Sequence, residues 1–96
     1  MPKQYYVYIL TNKRNGTLYT GVSGNLVKRT FGHKEKQSGF TAKHNLRYLV
    51  WYEAHDNPAS AITREKLIKK WKREWKINLI EKMNPAWNDL FEQIAN

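Results

Sequence analysis

Cysteine is absent from this 96-residue chain, which removes disulfides, thiolate metal ligands and cysteine nucleophiles together. Carboxylates are scarce, eight Asp and Glu against seventeen Lys and Arg, so a site built on several acids has little to draw on. Three prolines and five glycines leave room for a few marked turns, and no repeat, linker or low-complexity tract is visible. No stretch approaches the roughly 20 apolar residues of a membrane-spanning helix. Met1-Pro2-Lys3-Gln4 carries no basic segment ahead of a long apolar run, so the expectation is a soluble, cytoplasmic protein with no membrane attachment.

Positive charge and aromatic side chains are what remains. The net charge of +9 is large for this length and favours polyanionic partners, nucleic acid first, through long-range attraction and counterion release. Surplus lysine that merely keeps a small domain soluble predicts the same composition. An anionic membrane fits less well, because the most basic segment also carries Trp71 and Trp75 on a stripe that reads as core-facing. The length suits one domain over residues 1–96 with a single modest core.

Gln4 to Leu10 is aromatic or β-branched and reads as a strand, followed by a loop turning at Asn15-Gly16 and a returning strand from Thr17 to Ser23. Alternation puts Tyr6, Tyr8 and Leu10 on one face and Tyr5, Val7 and Ile9 on the other, so both faces need cover. Gly24-Asn25 supplies a turn and cap for a helix over Leu26–Gln37, ended by Ser38-Gly39. After a polar loop, Leu46–Glu53 forms a third strand, placed at the centre of the sheet by its nearly continuous apolar run. Asn57-Pro58 starts a helix that reaches Trp75 or beyond. Asn84-Pro85 interrupts the pattern, and Ala86–Ile94 forms a last short helix. The order β-β-α-β-α-α implies an α+β fold: a small, largely antiparallel three-stranded sheet flanked by helices.

Tyr8 and Tyr19 stand on paired strands, with Gly21 two residues beyond the second; Arg29 and His33 share one face of the first helix, four residues apart. Glu65 falls roughly 40° from Ala61 and about 60° from Ile68 on a helical wheel, at the edge of the apolar stripe. Taken singly, each has a plain structural reading. The tyrosines are strand aromatics, Arg29 and His33 a solvated face, Glu65 a partner for Arg64, Lys69 or Arg29, and Asn84 a cap.

Jointly, Tyr6-Val7-Tyr8, Tyr19-Thr20-Gly21, Arg29, His33, Glu65 and Asn84 resemble, in order, the motifs of the GIY-YIG nuclease superfamily. The chain is most similar to its small stand-alone bacterial branch, which also has a basic helix like Arg64–Lys72 and an ending like Asn84-Pro85-Ala86-Trp87. Tyr6 and Val7 replace the Gly and Ile of the first motif, and Thr20 the Ile of the second. The resemblance implies metal-dependent hydrolysis of nucleic-acid phosphodiesters, of DNA ahead of RNA, with a place in DNA repair. It assigns Tyr19 as general base, which requires a metal or cation to lower a phenol pKa ordinarily about 10. Tyr8 would hold the hydrogen-bond network, Arg29 grip phosphoryl oxygens, His33 donate to phosphate or assist proton transfer, and Asn84 organise the site.

Glu65 would hold one Mg²⁺ or Mn²⁺, hard ions that accept a single carboxylate when waters and substrate phosphate complete the shell. Lys69, Lys72 and Arg73, in a segment holding seven basic residues between Thr63 and Lys76, and Lys43 from the loop, are the expected nucleic-acid contacts. His33, His44 and His55 recur every eleven residues, but Gly39 and the third strand keep them off one helix, which discounts zinc. Target choice would come from a homodimer or a protein partner. The competing readings are a basic binding module that keeps the fold without turnover, and an adaptor that docks on another repair protein.

Overall fold

The computed structural model describes residues 3–34 and 43–95, with backbone only at 33 and 34. Three strands, β1 (Tyr5–Thr11), β2 (Leu18–Ser23) and β3 (Tyr48–His55), form one antiparallel sheet in the order β2-β1-β3. The helices are α1 (Leu26–Lys34), α2 (Pro58–Lys69), α3 (Arg73–Met83) and α4 (Phe91–Ala95).

The expected α+β architecture and strand pairing hold, with one correction: β1, not β3, is central. Five successive residues of β1, Val7 to Thr11, are buried, as a strand covered on both faces requires. The apolar run of β3 has a different cause. Ile9 pairs with Trp51 and Leu10 with Leu49, which leaves Val50 as a bulge. A bulge breaks the alternation, so Val50 and Trp51 both enter the core beneath α2 and α3 with Val7, Ile9, Ala61, Ile68, Ile80 and Trp87. The opposite face packs Tyr8, Leu10 and Leu49 with Leu26 of α1 and Leu46, bordered by Tyr6, Tyr19, Tyr52, Leu90 and Ile94.

Local signals set the boundaries. Asn15 adopts φ 57° and Gly16 N–H donates to the Lys13 carbonyl at 2.9 Å, closing the β1–β2 loop. The Arg73 guanidinium donates to the Asn15 and Gly16 carbonyls at 2.6 and 2.5 Å and ties that loop to α3. Asn25 Oδ1 accepts from Lys28 N–H at 3.0 Å and Asn57 Oδ1 from Ser60 N–H at 2.9 Å, the two expected caps.

The second helix does not run on to Trp75. The chain breaks at Lys70–Lys72, with Lys72 extended, and α3 turns back so that Ile77 and Ile80 reach the core. Trp71 packs there too, whereas Trp75 is 49% exposed and so lies off the core stripe expected of it. The last helix also starts later than Ala86. Leu90 N–H donates to the Leu49 carbonyl at 2.7 Å and Asp89 Oδ1 accepts from Leu49 N–H at 3.1 Å. Residues 86–90 are thus held along the edge of β3, with Trp87 at φ 57°, and helix begins only at Phe91.

Candidate active site

Tyr8 lies on central β1, opposite Gly21 of β2 and Tyr52 of β3. Its phenol end rests over Gly21: a Cβ there would sit 2.6 Å from both Tyr8 Cζ and Oη, and 3.0 Å from Tyr19 Cε2. The missing side chain carries the Tyr8 hydroxyl toward the β2 side of the sheet. There it meets Tyr19, two residues before Gly21 and so on the same face, with ring centroids 6.3 Å apart and the side chains hydrogen-bonded.

Burial holds the Tyr8 phenol well above the ordinary range, and the field of Tyr19, that of Glu65 and the hydrogen bond to Tyr19 add to this, while Arg29 opposes it. Tyr8 therefore remains a protonated donor through neutral pH. The Arg29 guanidinium on α1 and the Glu65 carboxylate on α2 thus both act electrostatically on this one hydroxyl. Tyr8, Tyr19, Arg29 and Glu65, drawn from β1, β2 and two helices, are brought together.

Glu65 is only 13% exposed, and its Oε2 lies 2.9 Å from Lys69 Nζ, one helical turn on. Of the three partners open to it in the sequence, Lys69 is the one engaged, and Lys69 is half exposed. A carboxylate so nearly buried needs a compensating charge, so Lys69 can leave it only where another cation takes its place. Among the described residues no three His, Asp or Glu side chains gather into a metal-sized cluster. A lone carboxylate with phenol oxygens nearby is a hard-oxygen donor set, of the kind Mg²⁺ accepts when it keeps its waters and takes the rest of its shell from a phosphate.

The other expected residues are placed differently. Asn84 is buried, and its amide donates to the Val50 carbonyl at 3.1 Å and the Asn88 carbonyl at 2.8 Å, while its oxygen accepts from Asn88 N–H at 3.0 Å. It fastens the bulge of β3 to the turn after α3, and as the C-cap of α3 it starts no helix at Pro85. His33 belongs to α1, but its side chain lies outside the described residues. Lys43 is exposed; Lys72 Nζ lies 5.7 Å from the Trp75 ring centroid. Arg73 is committed to loop carbonyls.

Two features escaped sequence reasoning. Tyr52 flanks Tyr8 opposite Gly21, which requires the β1–β3 register. A polar chain, Ser60 Oγ to His55 Nδ1 at 2.8 Å, His55 Nε2 to Glu53 Oε1 at 2.8 Å and Arg64 Nε to the same oxygen at 3.1 Å, fastens α2 to β3. Alternation of Glu53 and His55 on one strand was the available signal for it.

The sequence model of the GIY-YIG catalytic domain matches residues 4–78. A UPF0213 protein of Staphylococcus saprophyticus is 35% identical over 78 residues, covering 80% of this chain and 94% of its own. Another from Clostridium perfringens is 40% identical over 76 residues, covering 78% and 81%. The solution structure of a UPF0213 protein from Bacillus halodurans superposes with a TM-score of 0.56 at 24% identity, over 90% of this chain and 92% of that one. That likeness speaks to the fold.

Proposed function

Since the chain belongs to the GIY-YIG catalytic-domain family, we propose that it hydrolyses nucleic-acid phosphodiesters, DNA ahead of RNA, with Tyr19 as general base, Arg29 on the phosphoryl oxygens and Glu65 as the carboxylate for one Mg²⁺ or Mn²⁺. The observation that carries this reading is the Tyr8 hydroxyl, bonded to Tyr19 and acted on by both Arg29 and Glu65.

The reaction delivers water in line to phosphorus, forming one P–O bond as the bond to the leaving oxygen breaks. Tyr19 Oη takes the proton from that water, and the Tyr8 O–H aimed at the same oxygen stabilises charge on it while the proton is away. Arg29, exposed on α1, presents a planar guanidinium able to hold two phosphoryl oxygens. When bound, the divalent ion would add positive charge beside the phosphate and the departing oxygen. Lys69, leaving Glu65, is free to follow the substrate backbone, with Lys43 and Lys72 along the same path; Asn84 organises the site from behind through the β3 bulge. His33 stands one turn beyond Arg29 and would donate to the same phosphate.

The test is nicking of supercoiled plasmid and of branched DNA with Mg²⁺ or Mn²⁺. Tyr19→Phe, Arg29→Ala and Glu65→Gln should each lower the rate by on the order of 10²-fold or more, with DNA affinity retained in Glu65→Gln. Full activity in Glu65→Gln, or metal-independent cleavage by the wild type, would refute the assignment. Binding without any cleavage would establish the module that keeps the fold but not the chemistry.

A further inference from the structure

The exposed face of α3 joins bulky aromatics to a ring of cations. Trp71 is anchored in the core, and Trp75 stands beside it edge to face, centroids 6.2 Å apart and planes at 81°. Two open grooves share Trp71. One, of about 340 Å³, is lined by Trp71, Trp75, Asn78, Leu79 and Lys82; the other, of about 420 Å³, by Thr17, Leu18, Trp71, Arg73 and Lys76. The second includes Leu18, which neighbours Tyr19 on β2 but packs on the opposite, α2 and α3 face of the sheet.

We propose that Trp75, backed by Trp71, whose own ring carries the Arg64 guanidinium at 5.3 Å, is a stacking platform for unpaired bases, with Lys72, Lys76 and Lys82 on the accompanying phosphates. The protein would thus hold a single-stranded segment along the α3 surface. Charge complementarity selects this occupant. A protein partner would bury an interface whose centre is normally depleted of lysine, whereas here Lys72, Lys76 and Lys82 lie around the aromatic pair. Single-strand sites combine these two elements: aromatic faces that accept any base, and a cationic track for the backbone. Lys72 already lies over the Trp75 ring. Being exposed, it can yield that face to a base and move to the phosphate arriving with it, exchanging a cation–π contact for an ion pair. The inference rests on the nucleic-acid part of the proposed function and not on turnover.

Anisotropy of a labelled oligothymidylate, against a blunt duplex of equal length, tests it on the full chain without divalent metal. Single strand should bind more tightly than duplex. Trp75→Ala should weaken single-strand binding about tenfold or more, matching base–aromatic stacking, and change duplex binding by less than about twofold; Trp75→Phe should restore most of it. The Trp75→Ala deficit should persist as salt rises, while that of Lys76→Gln with Lys82→Gln should shrink, because only phosphate contacts release counterions. An equal loss on both nucleic acids, no loss at all, or self-association seen by sedimentation and abolished by Trp75→Glu would overturn the platform. Cleavage lost in Tyr19→Phe reports on the catalytic reading alone, so the two can fail separately.

Discussion

Gly21→Ala isolates the contact on which the candidate site is built. Gly21 does not use the left-handed backbone region, so alanine is conformationally acceptable and the whole penalty is steric. The new Cβ would stand 2.6 Å from Tyr8 Cζ and Oη where ordinary contact begins at 3.4 Å, so the phenol must retreat by about 1 Å. Tyr8 is 1% exposed and packed among Leu10, Leu26, Leu46 and Leu49, and that retreat overpacks the core at about 1–3 kcal/mol. Reduced freedom of the unfolded chain returns at most about 1 kcal/mol, leaving a net loss on the order of 1–2 kcal/mol in urea unfolding followed by tryptophan fluorescence. A displacement of this size in a catalytic group costs on the order of 10²-fold in rate, read as plasmid nicking. Adding Tyr8→Phe should not restore stability, because Cζ is as close to the new methyl as the hydroxyl. An unchanged urea midpoint with unchanged nicking would show that Tyr8 does not depend on the gap at Gly21.

Asn84→Ala should lower stability by about 2–4 kcal/mol, since the Val50 and Asn88 carbonyls lose their donors; Asn84→Asp should fare no better, lacking the amide hydrogens. A shift below about 0.5 kcal/mol in urea would contradict the clamp. Alkaline unfolding reports on Tyr8: its folded-state pKa is raised, so the unfolded chain loses that proton first. Stability is then intact below pH about 10 and falls above it at roughly 1.4 kcal/mol per pH unit. Tyr8→Phe should flatten that decline, and an identical pH profile in the variant would argue against the buried, protonated phenol.

Much of the site was legible because strand geometry is periodic. Once Asn15-Gly16 fixes the hairpin, Tyr8, Tyr19 and Gly21 must share a face, and the pairing of Tyr8 with Gly21 follows from the register. Asn57-Pro58 likewise announced α2 through cap chemistry alone. What failed was long-range. The apolar run in β3 looks the same whether a strand is central or bulged at an edge, and only the pairing of Leu49 and Trp51 with consecutive β1 residues reveals the bulge. The break at Lys70–Lys72 lets α3 turn back and bring Ile77 and Ile80 to the core, a long-range packing that no window of sequence contains. Residues 86–90 have helical periodicity, yet Leu49 offers an open edge, and pairing with it outweighs a turn of marginal helix. A helical wheel placed Glu65 inward but could not say that its field would reach a tyrosine on another element.

The two phenols at the centre are not interchangeable, and the reason lies in the sheet. Tyr8 occupies the central strand, with neighbours on both sides and helices on both faces, so its hydroxyl is stripped of water and keeps its proton. Tyr19 lies on an edge strand and is half-buried, so solvent and a substrate can reach it. A phenol with no access to water and one on the edge strand, joined by one hydrogen bond, give the pair a direction, and the proposal puts the reacting oxygen on the outer ring. Exchanging the strand order would reverse that polarity. The hairpin with β1 inside and β2 outside therefore matters for the chemistry as well as for the core, and it makes Tyr19 the oxygen on which the proposed hydrolysis turns.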